Sequence, residues 1–163
     1  MPAYWLDSDI LIQAANDAYQ FDVVPGFWEF LNNHITQGEF CMPKEVEREL
    51  AERDDDVYQW VRQQSNEFVV EQNQNVQRVY TDIADYVSNG PFGADHKRGF
   101  LRRADGWLIA HAQVTNGIVV TRETRAGDGT QQVKIPNICD QFGVASINQS
   151  ELLRRFGVRL IQA

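Results

Sequence analysis

Asp7-Ser8-Asp9 stands between two apolar runs, Tyr4-Trp5-Leu6 and Ile10-Leu11-Ile12. Glu45 and Glu49 share a helix face beside the apolar pair Val46 and Leu50. Asp105 interrupts an apolar helical pattern just before Trp107-Leu108-Ile109, where an acid is costly unless paired or metal-bound. Thr121 and Glu123 end the β-branched run Ile118-Val119-Val120. Carboxylates gathered in one place repel each other and raise each other's pKa. A divalent cation removes that penalty. An all-oxygen ligand set favours Mg²⁺ or Mn²⁺ over Zn²⁺. One or two such ions at a phosphodiester activate water and stabilise the attacking and leaving oxygens. The chemistry would be hydrolysis of a nucleic-acid backbone, with no protein nucleophile.

Each acid belongs to an element that can place it. Tyr4–Leu6 reads as a buried strand, followed by a helix from about Asp9 to Tyr19 with Ser8 or Asp9 as its cap. Asp7 then sits at the strand's carboxyl end, where open α/β sheets bind ligands. Pro25-Gly26 opens a helix with Phe27, Trp28, Phe30, Leu31 and Ile35 on its apolar face. Glu39–Met42 reads as a second strand and Lys44–Arg53 as the helix after it, with Pro43 at a first-turn position. Asp54-Asp55-Asp56 reads as a helix start. Val57–Val70 and Val76–Val87 read as helices. Ser88–Gly99, punctuated by Gly90-Pro91-Phe92-Gly93, reads as a loop carrying His96. Phe100–Thr115 reads as one helix, Ile118–Thr121 as a third strand and Val133–Pro136 as a short strand. Asn137–Phe142 reads as one or two helical turns and Val144–Ile147 as another strand. Asn148-Gln149-Ser150-Glu151 has capping-box spacing before a last helix, and Val158–Ile161 reads as an edge strand. Strands alternating with helices imply right-handed crossovers and an α/β fold, a parallel sheet covered on both faces.

The 163 residues, 43% hydrophobic and 11% aromatic, suit one globular domain over residues 1–163 and exclude a disordered chain. No apolar run is long enough for a bilayer and no basic region precedes the first one, so neither a membrane span nor a signal peptide is expected. Cys41 and Cys139 lack metal-ligand spacing, which points to a reduced, cytoplasmic protein. His111 has no second ligand type one turn away and reads as structural. The net charge of −8 opposes nucleic-acid binding. The distribution is uneven, however. Among the 15 Lys and Arg residues only Lys44, Arg48 and Arg53 precede residue 61. Lys97, Arg98, Arg102 and Arg103 come just before Asp105, and Arg122 and Arg125 flank Glu123. These six are the expected RNA-phosphate contacts, and Phe92 or Phe100 could stack a base.

Leu6-Asp7-Ser8-Asp9-Ile10-Leu11-Ile12 resembles the opening motif of PIN domains: an Asp, a small residue, an Asn and an apolar run. Met42-Pro43-Lys44-Glu45-Val46-Glu47-Arg48-Glu49-Leu50 resembles their second motif, whose acid precedes a leucine. That match selects Glu49 over Glu45, which spacing alone leaves open. Ala104-Asp105-Gly106-Trp107-Leu108-Ile109-Ala110 resembles the third motif and Val119-Val120-Thr121-Arg122-Glu123 the fourth. The tail Lys134-Ile135-Pro136-Asn137-Ile138-Cys139 is similar to that of a little-characterised bacterial branch of PIN-like proteins with one common domain of unknown function.

The resemblance implies a three-layer α/β/α sandwich around a central parallel sheet. It implies a Mg²⁺- or Mn²⁺-dependent endoribonuclease acting on single-stranded or structured RNA. Such proteins are often the VapC-type toxin of a toxin–antitoxin pair and are commonly homodimers. Asp7, Glu49, Asp105 and Glu123 would be the catalytic metal ligands, supported by Ser8, Asp9, Thr121 and Glu45. The chain departs from the pattern at two positions. Asp9 stands where Asn is usual, and Glu123 where Asp is commoner. Two other classes share parts of the pattern. One is a PIN-like module that binds without cutting. The other is a haloacid-dehalogenase-like phosphatase, which Asp7-Ser8-Asp9 resembles, although no late acidic pair follows a strand.

Overall fold

The computed structural model describes residues 3–162. Tyr4–Leu6 form β1, the middle strand of the sheet. Tyr4 and Leu6 pack on one face of it and Trp5 on the other. A strand covered on both sides reads as a continuous apolar run, and this one does. From β1 the chain builds α1 (Ser8–Asn16), α2 (Pro25–Thr36), β2 (Phe40–Pro43), α3 (Lys44–Arg53), α4 (Asp56–Arg62) and β3 (Val69–Val70). It then crosses through α5 (Gln74–Asn89), α6 (Ala94–Arg102) and α7 (Asp105–Val114) to β4 (Ile118–Val120). α8 (Ile135–Gln141), β5 (Ala145–Ile147) and α9 (Gln149–Arg155) complete it.

The sheet order is β3-β2-β1-β4-β5 and every pair is parallel. Residues of α1–α4 and α9 build the core on one face, and residues of α5–α8 build it on the other. The three-layer α/β/α sandwich is therefore as expected. Strand order reverses at β1, so the crevice between the carboxyl ends of β1 and β4 is the topological switch point. Leu6 lies opposite Val120 in the register. Asp7 and Thr121 thus leave the sheet side by side. The Asp7 N–H still donates to the Val120 carbonyl at 3.0 Å, and the Thr121 N–H to that of Ile147 at 3.0 Å.

Packing fixes these two strand ends. Tyr4, Phe30, Phe40 and Phe156 form an edge-to-face cluster with ring centroids 5.3–5.7 Å apart. On the opposite face α7 is buried along most of its length against α5 and the sheet. Gly106 permits that approach, since a Cβ there would stand 2.8 Å from the Tyr80 ring. Tyr80 in turn stacks on Trp107 at 3.8 Å. Trp5 stacks on His111 at 4.7 Å and donates its indole N–H to Thr115 Oγ1 at 2.9 Å.

Several elements differ from the sequence reading. Neither Ser8 nor Asp9 caps α1; Asp7 holds the cap position, but its side chain makes no cap bond. The helix read over Val57–Val70 stops at Arg62, and Val69–Val70 add an edge strand to β2. Ser88–Gly99 is largely helical: α5 runs to Asn89 and α6 begins at Ala94. The helix read over Phe100–Thr115 is broken at Arg103-Ala104. Val133–Pro136 is no strand; Pro136 lies in the first turn of α8, where its missing N–H is harmless. Val158–Ile161 is irregular rather than an edge strand. The capping box at Asn148 and Glu151 is present as read. Among the described residues, no helix is long and apolar enough to cross a membrane.

Candidate active site

A cavity of about 390 Å³ opens at the switch point. Asp7, Asp9, Glu49, Asp105 and Glu123 line it, with Ser8, His96, Arg103, Gln132 and Lys134. Asp7 and Asp105 are each only 7% exposed. Burial raises the Asp7 carboxyl well above its ordinary range, and the neighbouring Asp9, Asp105 and Glu123 charges add to that. Burial and then Glu123 push Asp105 up to about 7, with Arg103 opposing. Burial also raises Asp9 and Glu49.

Four of the five acids are held by hydrogen bonds. The Thr121 hydroxyl donates to Asp7 Oδ2 at 2.9 Å and accepts the Glu123 N–H at 3.1 Å. Asp9 Oδ2 also lies within reach of the same hydroxyl, at 3.4 Å, so Thr121 bridges the two acids with Asp7 the nearer acceptor. Asp9 accepts the Arg122 N–H at 3.2 Å, which ties α1 to the turn after β4. Glu49 accepts the Ala104 N–H. That N–H is free because the helix breaks there, and the break turns Asp105 into the cavity as the first residue of α7. Glu123 Oε1 accepts the Ile135 N–H at 3.0 Å, at the entrance to α8. Asp105 Oδ2 is buried with no hydrogen-bond partner; the Arg103 guanidinium lies 3.5 Å away, an ion pair without a hydrogen bond.

The other expected residues are placed elsewhere. Glu45 does not line the cavity; its Oε1 accepts from Gln72 Nε2 at 2.9 Å. Arg98 pairs with Asp95 on the exposed side of α6. Lys97 donates to the Ser88 carbonyl at 2.9 Å. Arg125 grips Asp140 through two bonds of 2.6 and 2.7 Å. Arg122 lines a separate cavity between α1 and α9. Arg102 lines an adjoining one with Glu49 and Arg103. Of the six expected basic contacts, only Arg103 lines the acidic cavity. His96, Gln132 and Lys134 line it too, and no spacing rule in the sequence singles them out. Phe100 is in the core, not free to stack a base. His111, expected to be a partly buried helix residue, is fully buried in the core, and burial lowers its pKa to about 4.

The chain matches the family model described as a domain of unknown function, DUF4411, over residues 4–160. It belongs to the DUF4411 family. A solved structure titled as FitAB bound to an IR36 DNA fragment has a TM-score of 0.53 and 16% sequence identity with this DUF4411 chain. The match covers 89% of this chain and 94% of that one. At that identity the likeness concerns the fold, a PIN-like α/β/α sandwich. No curated protein matches the chain.

The donor set suits a hard divalent cation. It is all carboxylate oxygen, and the buried Asp105 Oδ2 lacks any other hydrogen-bonding partner. Among the described residues, no three His, Cys, Asp or Glu side chains are already drawn together closely enough to hold an ion. Glu49 and Glu123 are turned onto backbone N–H groups instead.

Proposed function

We propose that this protein is a Mg²⁺- or Mn²⁺-dependent endoribonuclease and the toxin of a toxin–antitoxin pair. The observation that carries the reading is the meeting of Asp7, Glu49, Asp105 and Glu123 in one cavity at the switch point of a PIN-like fold. A divalent ion bound there would neutralise the acids and activate water for attack at phosphorus. Asp7 and Asp105 would hold it, joined by Glu49 and Glu123 on release from their N–H partners. Thr121 orients Asp7, and Asp9 keeps α1 against the end of β4. Arg103 offsets part of the charge on Asp105. No thiol nucleophile is called for: Cys139 is buried, and its thiol is pushed up to about 12. RNA as substrate, a small antitoxin, a homodimer and a cytoplasmic setting complete the proposal. That the FitAB structure holds a DNA fragment adds support for a nucleic-acid partner.

The placement of Glu49 and Glu123 on backbone N–H groups favours a second reading, a PIN-like module that binds without cutting. A panel of single-stranded RNAs with Mn²⁺ separates the two. Cleavage is expected from wild type and Cys41→Ala. It should vanish in excess EDTA and in Asp105→Asn with an unchanged circular dichroism spectrum. Binding without cleavage supports the module. Cleavage that persists in EDTA or in Asp105→Asn contradicts the metal-dependent enzyme.

A further inference from the structure

The acidic cavity must receive a polyanion, and three side chains on its lining can carry positive charge: His96, Arg103 and Lys134. Arg103 already faces Asp105. Lys134 makes no ion pair or side-chain hydrogen bond among the described residues. Its backbone, in contrast, is fixed on both sides. The next N–H, from Ile135, donates to Glu123 Oε1 at 3.0 Å. The Asn137 amide then clamps Ala126 in both directions: Oδ1 accepts the Ala126 N–H at 2.9 Å, and Nδ2 donates to the Ala126 carbonyl at 3.0 Å. Upstream, the Gln131 carbonyl accepts the Gly93 N–H at 2.9 Å, which joins this loop to the start of α6. A long cation is therefore mounted on a segment pinned to one of the site's own acids. Lysine is costly to order unless it gains a partner, and nothing within the described residues supplies one.

We propose that Lys134 is the residue that grips a backbone phosphate of the nucleic acid in this cavity, and that Asn137 positions it through the Ala126 clamp. The inference rests on the nuclease reading, and it replaces Lys97, Arg98 and Arg125 as the first phosphate contacts. As an ammonium, Lys134 acts as a point charge toward phosphate and carries no base preference.

The test is binding of a fluorescent, single-stranded phosphorothioate oligoribonucleotide in Ca²⁺ across a salt series, with Mn²⁺ affinity measured separately by calorimetry. Lys134→Ala is expected to weaken binding about tenfold and to lower the salt slope by about 0.7, the loss of one single-strand phosphate contact. Lys134→Arg should restore both. Asn137→Ala should weaken binding in the same direction, with its circular dichroism spectrum unchanged. Mn²⁺ affinity should stay within about twofold in all three, and Arg98→Ala should bind like wild type. Wild-type affinity and slope in Lys134→Ala overturn the assignment while leaving the nuclease reading intact. A wild type that takes up Mn²⁺ but no oligonucleotide overturns both.

Discussion

Asp105 concentrates the electrostatic problem of this molecule. It is buried, its Oδ2 has no hydrogen-bond partner, and its pKa is raised to about 7. A carboxyl raised in the folded state gives stability that is present below its unfolded pKa and lost as pH rises through its folded pKa. Without metal, the protein should lose stability between about pH 4 and 7 on this account. The full shift corresponds to about 4 kcal/mol. Asp105→Asn in EDTA at pH 8 should therefore melt several degrees above wild type. Thermal melts check this; a lower melting temperature for the variant would contradict the repulsion. His111 acts in the opposite sense. Burial lowers its pKa to about 4, so the stability of the neutral ring is present above about pH 6.5 and lost as pH falls toward 4. The loss amounts to about 3 kcal/mol. Denaturant titrations of wild type and His111→Gln should show wild type losing stability faster below pH 6.5, and parallel profiles would exclude this role.

The elements that were legible in the sequence are those with a strong period of their own. β1, α2, α3, β4 and the capped α9 follow from apolar runs, helical stripes and a capping box. The elements that were not depend on distant partners. Val69–Val70 become a strand only because β2 offers an edge. The break between α6 and α7 coincides with the Ala104 N–H bonded to Glu49, far away in sequence. The four acids could be picked out because each ends a strand or sits on a patterned helix. His96, Gln132 and Lys134 could not: His96 reaches the cavity from α6, and Gln132 and Lys134 reach it through the docking of their loop on the start of that helix. Helix packing carries its own prediction. In Gly106→Ala the new methyl meets the Tyr80 ring and pushes α7 from α5. Overpacking of this kind costs about 1–3 kcal/mol. Because Asp105 is the preceding residue, Mn²⁺ affinity should fall as well. A calorimetric titration and a thermal melt of this variant check both effects, and wild-type values in both would contradict the packing argument.

The whole molecule carries a net charge of −8, and it gathers five acids where its strand order reverses. Such an arrangement is unfavourable for folding unless a cation compensates it, since like charges in a buried site raise each other's pKa. A ligand that binds only the folded state stabilises it in proportion to the logarithm of its concentration. The melting temperature should therefore begin to climb near the dissociation constant for Mn²⁺ and keep rising with the logarithm of its concentration above it. The most direct measurement is calorimetric titration of Mn²⁺ into metal-free wild type and Asp105→Asn. Saturable uptake by wild type, lost or weakened at least tenfold in the variant, is the predicted result. No saturable uptake by wild type, or equal uptake by the variant, would contradict the metal centre and the nuclease built on it.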